Sequence, residues 1–170
     1  NTKVKMEIFT WKGNIDTLMT PLDSIKYNKL ILRNAVMSME PQTGHVKAWV
    51  GGVNFEHYKY DQVKQGTRQV GSTAKPFTYA VAIDNFYSPC YTVPNFQQTY
   101  GDWTPRGTTQ GGSPITLKNA LKYSQNFATA FVINEVGAAN VAELTRKMGI
   151  TSDVPNYPSI ALGAYDASVF

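Results

Sequence analysis

Gly71-Ser72-Thr73-Ala74-Lys75-Pro76-Phe77-Thr78-Tyr79-Ala80-Val81-Ala82-Ile83-Asp84-Asn85-Phe86 is the stretch on which the reading turns. Residues 76–86 carry one charge, Asp84, and are otherwise mostly apolar. A helix apolar nearly all round is a buried one, so the pattern predicts a buried helix, stopped by Ser88-Pro89. A glycine-ended loop delivers Ser72 and Lys75 to its mouth. Residues three apart on a helical turn face the same way, which lets the lysine amine reach the serine hydroxyl. Near the helix N-terminus the dipole favours negative charge, so a developing oxyanion at Ser72 gains there. Lysine serves as a base only when partly neutral. Its ordinary pKa of about 10.4 must fall by about three units, roughly 4 kcal/mol, and burial or a nearby cation can supply that. Pro76 has no amide hydrogen for the Ser72 carbonyl, so the first turn should be tight or irregular. On its own the spacing is weak, because a capping serine followed by a solvated lysine produces it too.

Some fifty residues on stands Ser124-Gln125-Asn126, at a junction between two helices. A serine there can relay a proton between the lysine and a leaving group. An asparagine amide offers a donor and an acceptor to a peptide substrate. Both residues also suit the cap of the following helix, and the two readings are compatible.

Working outward, residues 4–11 alternate, with Val4, Met6 and Ile8 on one face, and read as a strand. Residues 21–27 read as turn-rich. Two apolar runs, 34–39 and 46–50, joined by Glu40-Pro41-Gln42-Thr43-Gly44, read as a hairpin. Residues 54–71 form a polar and aromatic surface loop, and 93–114 a long excursion with short strands at most. Thr116 caps a short helix over 117–123, with Leu117, Ala120 and Leu121 on its apolar face. Further helices are expected over 127–136, ending at Gly137, and over 140–148, with Gly149 behind it.

The composition excludes several classes. A chain of 170 residues, 42% hydrophobic and 16% charged, can bury a core and is not disordered. The net charge of +4 is scattered. Lys59, Lys64 and Arg68 are interrupted by Asp61, which speaks against a nucleic-acid partner. Cys90 is the only cysteine and His45 and His57 the only histidines, so a disulfide, a cysteine zinc cluster or a histidine-based triad is poorly supplied. No run is long and apolar enough to span a membrane.

Taken together, the motifs resemble a known family. Gly71-Ser72-Thr73-Ala74-Lys75-Pro76-Phe77 followed by Ser124-Gln125-Asn126 is similar to the first two active-site motifs of penicillin-binding transpeptidases, relatives of the serine beta-lactamases. The flanks resemble the bifunctional (class A) group: the hairpin from Met39 to Gly52, Arg68-Gln69, Pro114-Ile115-Thr116-Leu117, Asn119-Ala120-Leu121 and Ser159-Ile160-Ala161-Leu162-Gly163. The resemblance implies an α/β fold of the α+β type, an antiparallel sheet flanked by helices. It implies that residues 1–33 lead into the domain and 34–170 form its N-terminal portion. It implies peptidoglycan stem peptides as substrates and beta-lactam antibiotics as trapping ligands, with no cofactor and no metal. Ser72 is then the nucleophile, Lys75 its base and Ser124 a proton relay. Asn126 holds the substrate backbone, and the Ser72 amide forms half of the oxyanion hole. The parent protein is expected outside the cytoplasmic membrane, anchored by a helix and following a glycosyltransferase domain. The family's lysine-threonine-glycine motif is absent from the 170 residues, and Gln42-Thr43-Gly44 is a hairpin turn, no substitute. The chain is therefore expected to be incomplete for catalysis. Relatives also carry a bulkier residue at Ala74. A carboxypeptidase, a beta-lactamase, or a beta-lactam-binding sensor or non-catalytic scaffold of the same fold are the other readings.

Overall fold

A computed structural model describes residues 2–107 and 112–170. The chain forms two compact units, residues 1–66 with 169–170, and residues 67–168.

In the first unit, β1 (Val4–Thr10) pairs antiparallel with β2 (Gly13–Met19) through a tight turn, Thr10 opposite Gly13. Of the alternating set in β1, Ile8 is buried and Met6 partly so, and Phe9 is buried as well. Phe9 meets the rings of Trp11, His57 and Tyr58. The turn-rich reading of 21–27 is corrected: the segment is helix α1 (Pro21–Leu30). Thr20 Oγ1 accepts the Asp23 amide at 3.1 Å, and Pro21 sits where its missing N–H costs nothing. The hairpin forms as expected, β3 (Val36–Met39) against β4 (Val46–Val50), with a register shift between Ser38 and Met39. Asp61 organises the loop behind it. Its carboxylate accepts the Trp49 indole N–H at 2.8 Å and the Val63 amide at 2.8 Å.

The second unit is mostly helical. A short β5 (Arg68–Gln69) leads to a 3-10 turn, Gly71–Ala74, and directly into α2 (Lys75–Asp84). The irregular first turn expected from Pro76 is present, with the Lys75 amide donating to the Ser72 carbonyl. The helix ends earlier than Ser88-Pro89, at Asn85, and Phe86 takes φ +67 and is 99% exposed. The excursion is bracketed by β6 (Thr92–Val93) pairing with β7 (Ile115–Thr116); residues 108–111 of it lie outside the described residues. Then come α3 (Leu117–Lys122), α4 (Asn126–Val136) and α5 (Ala138–Lys147). Thr116 caps α3 as expected, its hydroxyl accepting the Asn119 amide.

The core of this unit gathers on α4, whose Ala128, Thr129, Ala130, Val132 and Ile133 are at most 3% exposed. Each large apolar side chain buried this way stabilises the fold by about 2 kcal/mol. One buried polar tie crosses it: Tyr79 of α2 and Thr129 of α4 share a hydrogen bond of 3.0 Å, and burial pushes the Tyr79 phenol up to about 12. A final 3-10 turn, Pro158–Leu162, packs on α4 and is followed by β8 (Asp166–Ala167), antiparallel to β5. The architecture is thus α/β with antiparallel strands.

Candidate active site

Lys75 opens α2 and is 1% exposed. Its surroundings follow from position: the 3-10 turn carries it inward, beneath the α3–α4 junction. The Nζ donates to the Ser124 carbonyl at 2.5 Å, to Ser124 Oγ at 2.9 Å and to Asn126 Oδ1 at 2.7 Å. Burial lowers its pKa from 10.5 to about 8. The desolvated ammonium loses favour relative to the neutral amine. The charged neighbour considered as a second cause does not contribute; burial alone acts.

Ser124 occupies an unusual backbone conformation, φ +52, in a link too short for a gradual turn. The Ser124 amide donates to the Leu121 carbonyl at 3.0 Å, and the Gln125 amide to the Ala120 carbonyl at 2.8 Å. Those bonds close α3 and aim both the carbonyl and the hydroxyl of Ser124 at Lys75. A non-glycine residue held left-handed costs of order 1 kcal/mol, and the surrounding structure must impose it. Asn126 begins α4 and has its amide orientation set at both ends, since Nδ2 donates to the Arg106 carbonyl at 2.8 Å. The amide carries a second N–H besides the one that the Arg106 carbonyl takes.

Ser72 is exposed, in the 3-10 turn one residue after Gly71. Among the described residues its hydroxyl has no hydrogen-bond partner, and Lys75 spends its donors on Ser124 and Asn126. The structure therefore brings together three of the four expected site residues, with Ser72 in the turn that feeds Lys75. Thr73 folds back, its hydroxyl donating to the Val70 carbonyl at 2.7 Å.

Sequence reasoning missed the Arg106 carbonyl, which has no side-chain signature. Its neighbour Gly107 does carry one: a Cβ there would stand 2.9 Å from the Phe127 ring. Asn95 donates to Gln125 Oε1 at 3.2 Å, so residues 95, 106 and 107 all meet the start of α4. His57 shares a hydrogen bond of 3.0 Å with Asn14. A cleft of about 530 Å³, lined in part by Val81, Asp84, Asn140, Glu143, Leu144 and Lys147, includes none of the four site residues. Among the described residues no cluster of His, Cys, Asp and Glu could hold a metal ion.

The chain is similar to known proteins over most of its length. Residues 34–158 match the model of the penicillin binding protein transpeptidase domain, and residues 1–32 that of the penicillin-binding protein middle domain. Penicillin-binding protein 1A of Pseudomonas aeruginosa is 33% identical over 139 residues, 77% of this chain and 17% of that protein. The crystal structure of penicillin-binding protein 1A from Haemophilus influenzae superposes with a TM-score of 0.74 at 26% identity, covering 80% of this chain and 21% of that one. A penicillin-binding protein of Mycobacterium tuberculosis shares the fold, with a TM-score of 0.71 at 23% identity over 86% of this chain and 42% of that one. The chain thus spans 17–18% of the length of the curated relatives it matches. With a transpeptidase model matched over residues 34–158, more than half its length, the chain belongs to the penicillin-binding protein transpeptidase family.

Proposed function

We propose that the chain is the front portion of a peptidoglycan D,D-transpeptidase domain, acting through an acyl-enzyme on Ser72. Residues 1–33 lead into it and 34–170 belong to it. The observation that carries the reading is the buried Lys75, its amine bonded to Ser124 Oγ and Asn126 Oδ1 one helical turn from Ser72.

The chemistry follows from counting protons. A neutral amine has two N–H bonds and one lone pair. The Ser124 carbonyl and Asn126 Oδ1 can only accept, so they take the two N–H bonds. The lone pair is left for a hydroxyl, that of Ser72 or Ser124. At a pKa of about 8, roughly a tenth of Lys75 is neutral at pH 7. Lys75 takes the Ser72 proton as Oγ attacks the carbonyl of the D-Ala-D-Ala bond. The oxyanion forms at the helix mouth, near the Ser72 amide. The C–N bond breaks, and the departing D-alanine receives a proton through Ser124. The amine of a second stem peptide then attacks the ester, its proton passes back to Ser72, and a cross-link results. Beta-lactams acylate the same oxygen and remain. The family's lysine-threonine-glycine motif is absent from these 170 residues. On this reading the parent protein works outside the cytoplasmic membrane, anchored and joined to a glycosyltransferase domain. Among the described residues no helix is long and apolar enough to cross a membrane.

The test is a pentapeptide ending in D-Ala-D-Ala, given to the full-length protein with an amine acceptor. Cross-linked product that disappears in Ser72→Ala supports the reading. Hydrolysis without transfer would make the protein a carboxypeptidase. Absence of both, with a penicillin adduct formed, would make it a beta-lactam-binding sensor.

A further inference from the structure

Among the described residues no hydrogen bond holds the side chain of Ser72, so its placement depends on the backbone of the Gly71–Ala74 turn, and that backbone is pressed from behind. Gly163 is buried at the end of the Pro158–Leu162 turn with φ +72. A Cβ on it would stand 2.0 Å from the Gly71 carbonyl oxygen, 2.2 Å from its nitrogen and 2.5 Å from its carbonyl carbon. These are backbone atoms, which cannot swing aside as a side-chain tip can. The Gly71 amide donates to the Gly163 carbonyl at 3.2 Å, and the Val70 amide to the Tyr165 carbonyl at 3.0 Å. The pairing continues through Gln69 with Asp166 and Arg68 with Ala167. The segment 163–167 therefore splints β5 and the residues that lead from it into Ser72. Its other side is anchored in the core, with Ile160 1% and Ala161 0% exposed and the Gly163 amide donating to the Ile160 carbonyl at 2.8 Å.

We infer that Gly163 is a positioning residue for the nucleophile: its lack of a side chain lets the anchored turn press on Gly71 and so sets the direction of the Ser72 amide and hydroxyl. Because the Ile160 side of the contact is fixed in the core, a methyl group at 163 displaces Gly71, and Ser72 moves with it. The catalytic consequence rests on the proposed acylation of Ser72; the structural part does not. A misplacement approaching 1 Å near reacting atoms costs as much as 100-fold in rate.

Two measurements test this separately. Gly149 provides the control, because it has φ +102 but a Cβ there meets nothing within 4 Å, so Gly149→Ala adds backbone strain without a collision. On the 15N-labelled chain, Gly163→Ala should move the Ser72 amide resonance and Gly149→Ala should leave it in place. In the full-length protein reacting with a penicillin, Gly163→Ala should slow the acylation rate constant at least tenfold, with the encounter dissociation constant within about twofold of wild type. If Gly163→Ala does not fold, Ile160→Ala loosens the same splint without a collision and should move the Ser72 resonance. An unmoved Ser72 resonance in the folded variant overturns the inference, as does an acylation loss no greater than that of Gly149→Ala. A wild type that never acylates would sink the acyl-enzyme reading while leaving the resonance test to decide the splint.

Discussion

At Lys75 burial and chemistry oppose stability. Burial lowers its pKa from 10.5 to about 8, so below pH 8 the fold carries a charged amine that the unfolded chain would rather hydrate. Between about pH 8 and 10.5 the unfolded chain binds more protons than the folded one, so stability rises with pH there. Wild type should gain on Lys75→Met by about 3 kcal/mol between pH 7 and pH 11. Denaturant titrations of both across that range check the sign; a gap independent of pH would contradict it. The same value predicts that acylation rises about tenfold per pH unit below 8 and levels above it. Ser124 adds a second residue-scale expectation. Its φ of +52 suits glycine, so Ser124→Gly should be about 1 kcal/mol more stable than Ser124→Ala, although both lose the hydroxyl. Thermal melts of the pair decide it.

Among the elements, those whose local signals agreed were legible. Thr116 before Leu117, Ala120 and Leu121 announced α3, and the Glu40–Gly44 linker announced the hairpin. Helix α1 was not, because Pro21, Asp23 and Ser24 serve turns and helix starts alike, and the helix has no buried residue to give it a periodic face. Strand β2 escaped for a related reason: most of its side chains are exposed, which leaves no face to fix an apolar alternation. At the site, the Ser72 and Lys75 spacing and Ser124-Gln125-Asn126 were readable as side chains. The Arg106 carbonyl and the Gly71–Gly163 contact are backbone features, which spacing does not encode. Gly107→Ala tests the first of these. Its methyl would press on Phe127 and lift the Arg106 carbonyl from Asn126, so acylation should fall about tenfold and stability by about 1–3 kcal/mol. Thr116→Ala should cost about 1 kcal/mol in a thermal melt and leave acylation unchanged, since its cap serves α3 alone.

Across the whole molecule, the second unit holds Ser72, Lys75 and Ser124 on one helical core, with α2 and α4 tied at Tyr79–Thr129 and again at Lys75–Asn126. The first unit carries the hairpin, whose Val36, Val46 and Val50 are 45–59% exposed. The account stands on Ser72 being the acylated oxygen. The most direct measurement is the intact mass of the full-length protein after incubation with a penicillin, beside Ser72→Ala, followed by peptide mapping. One added drug mass, located on the peptide containing Ser72 and lost in the variant, is the predicted result. An adduct that survives Ser72→Ala, or a wild type that gains no mass, would contradict it.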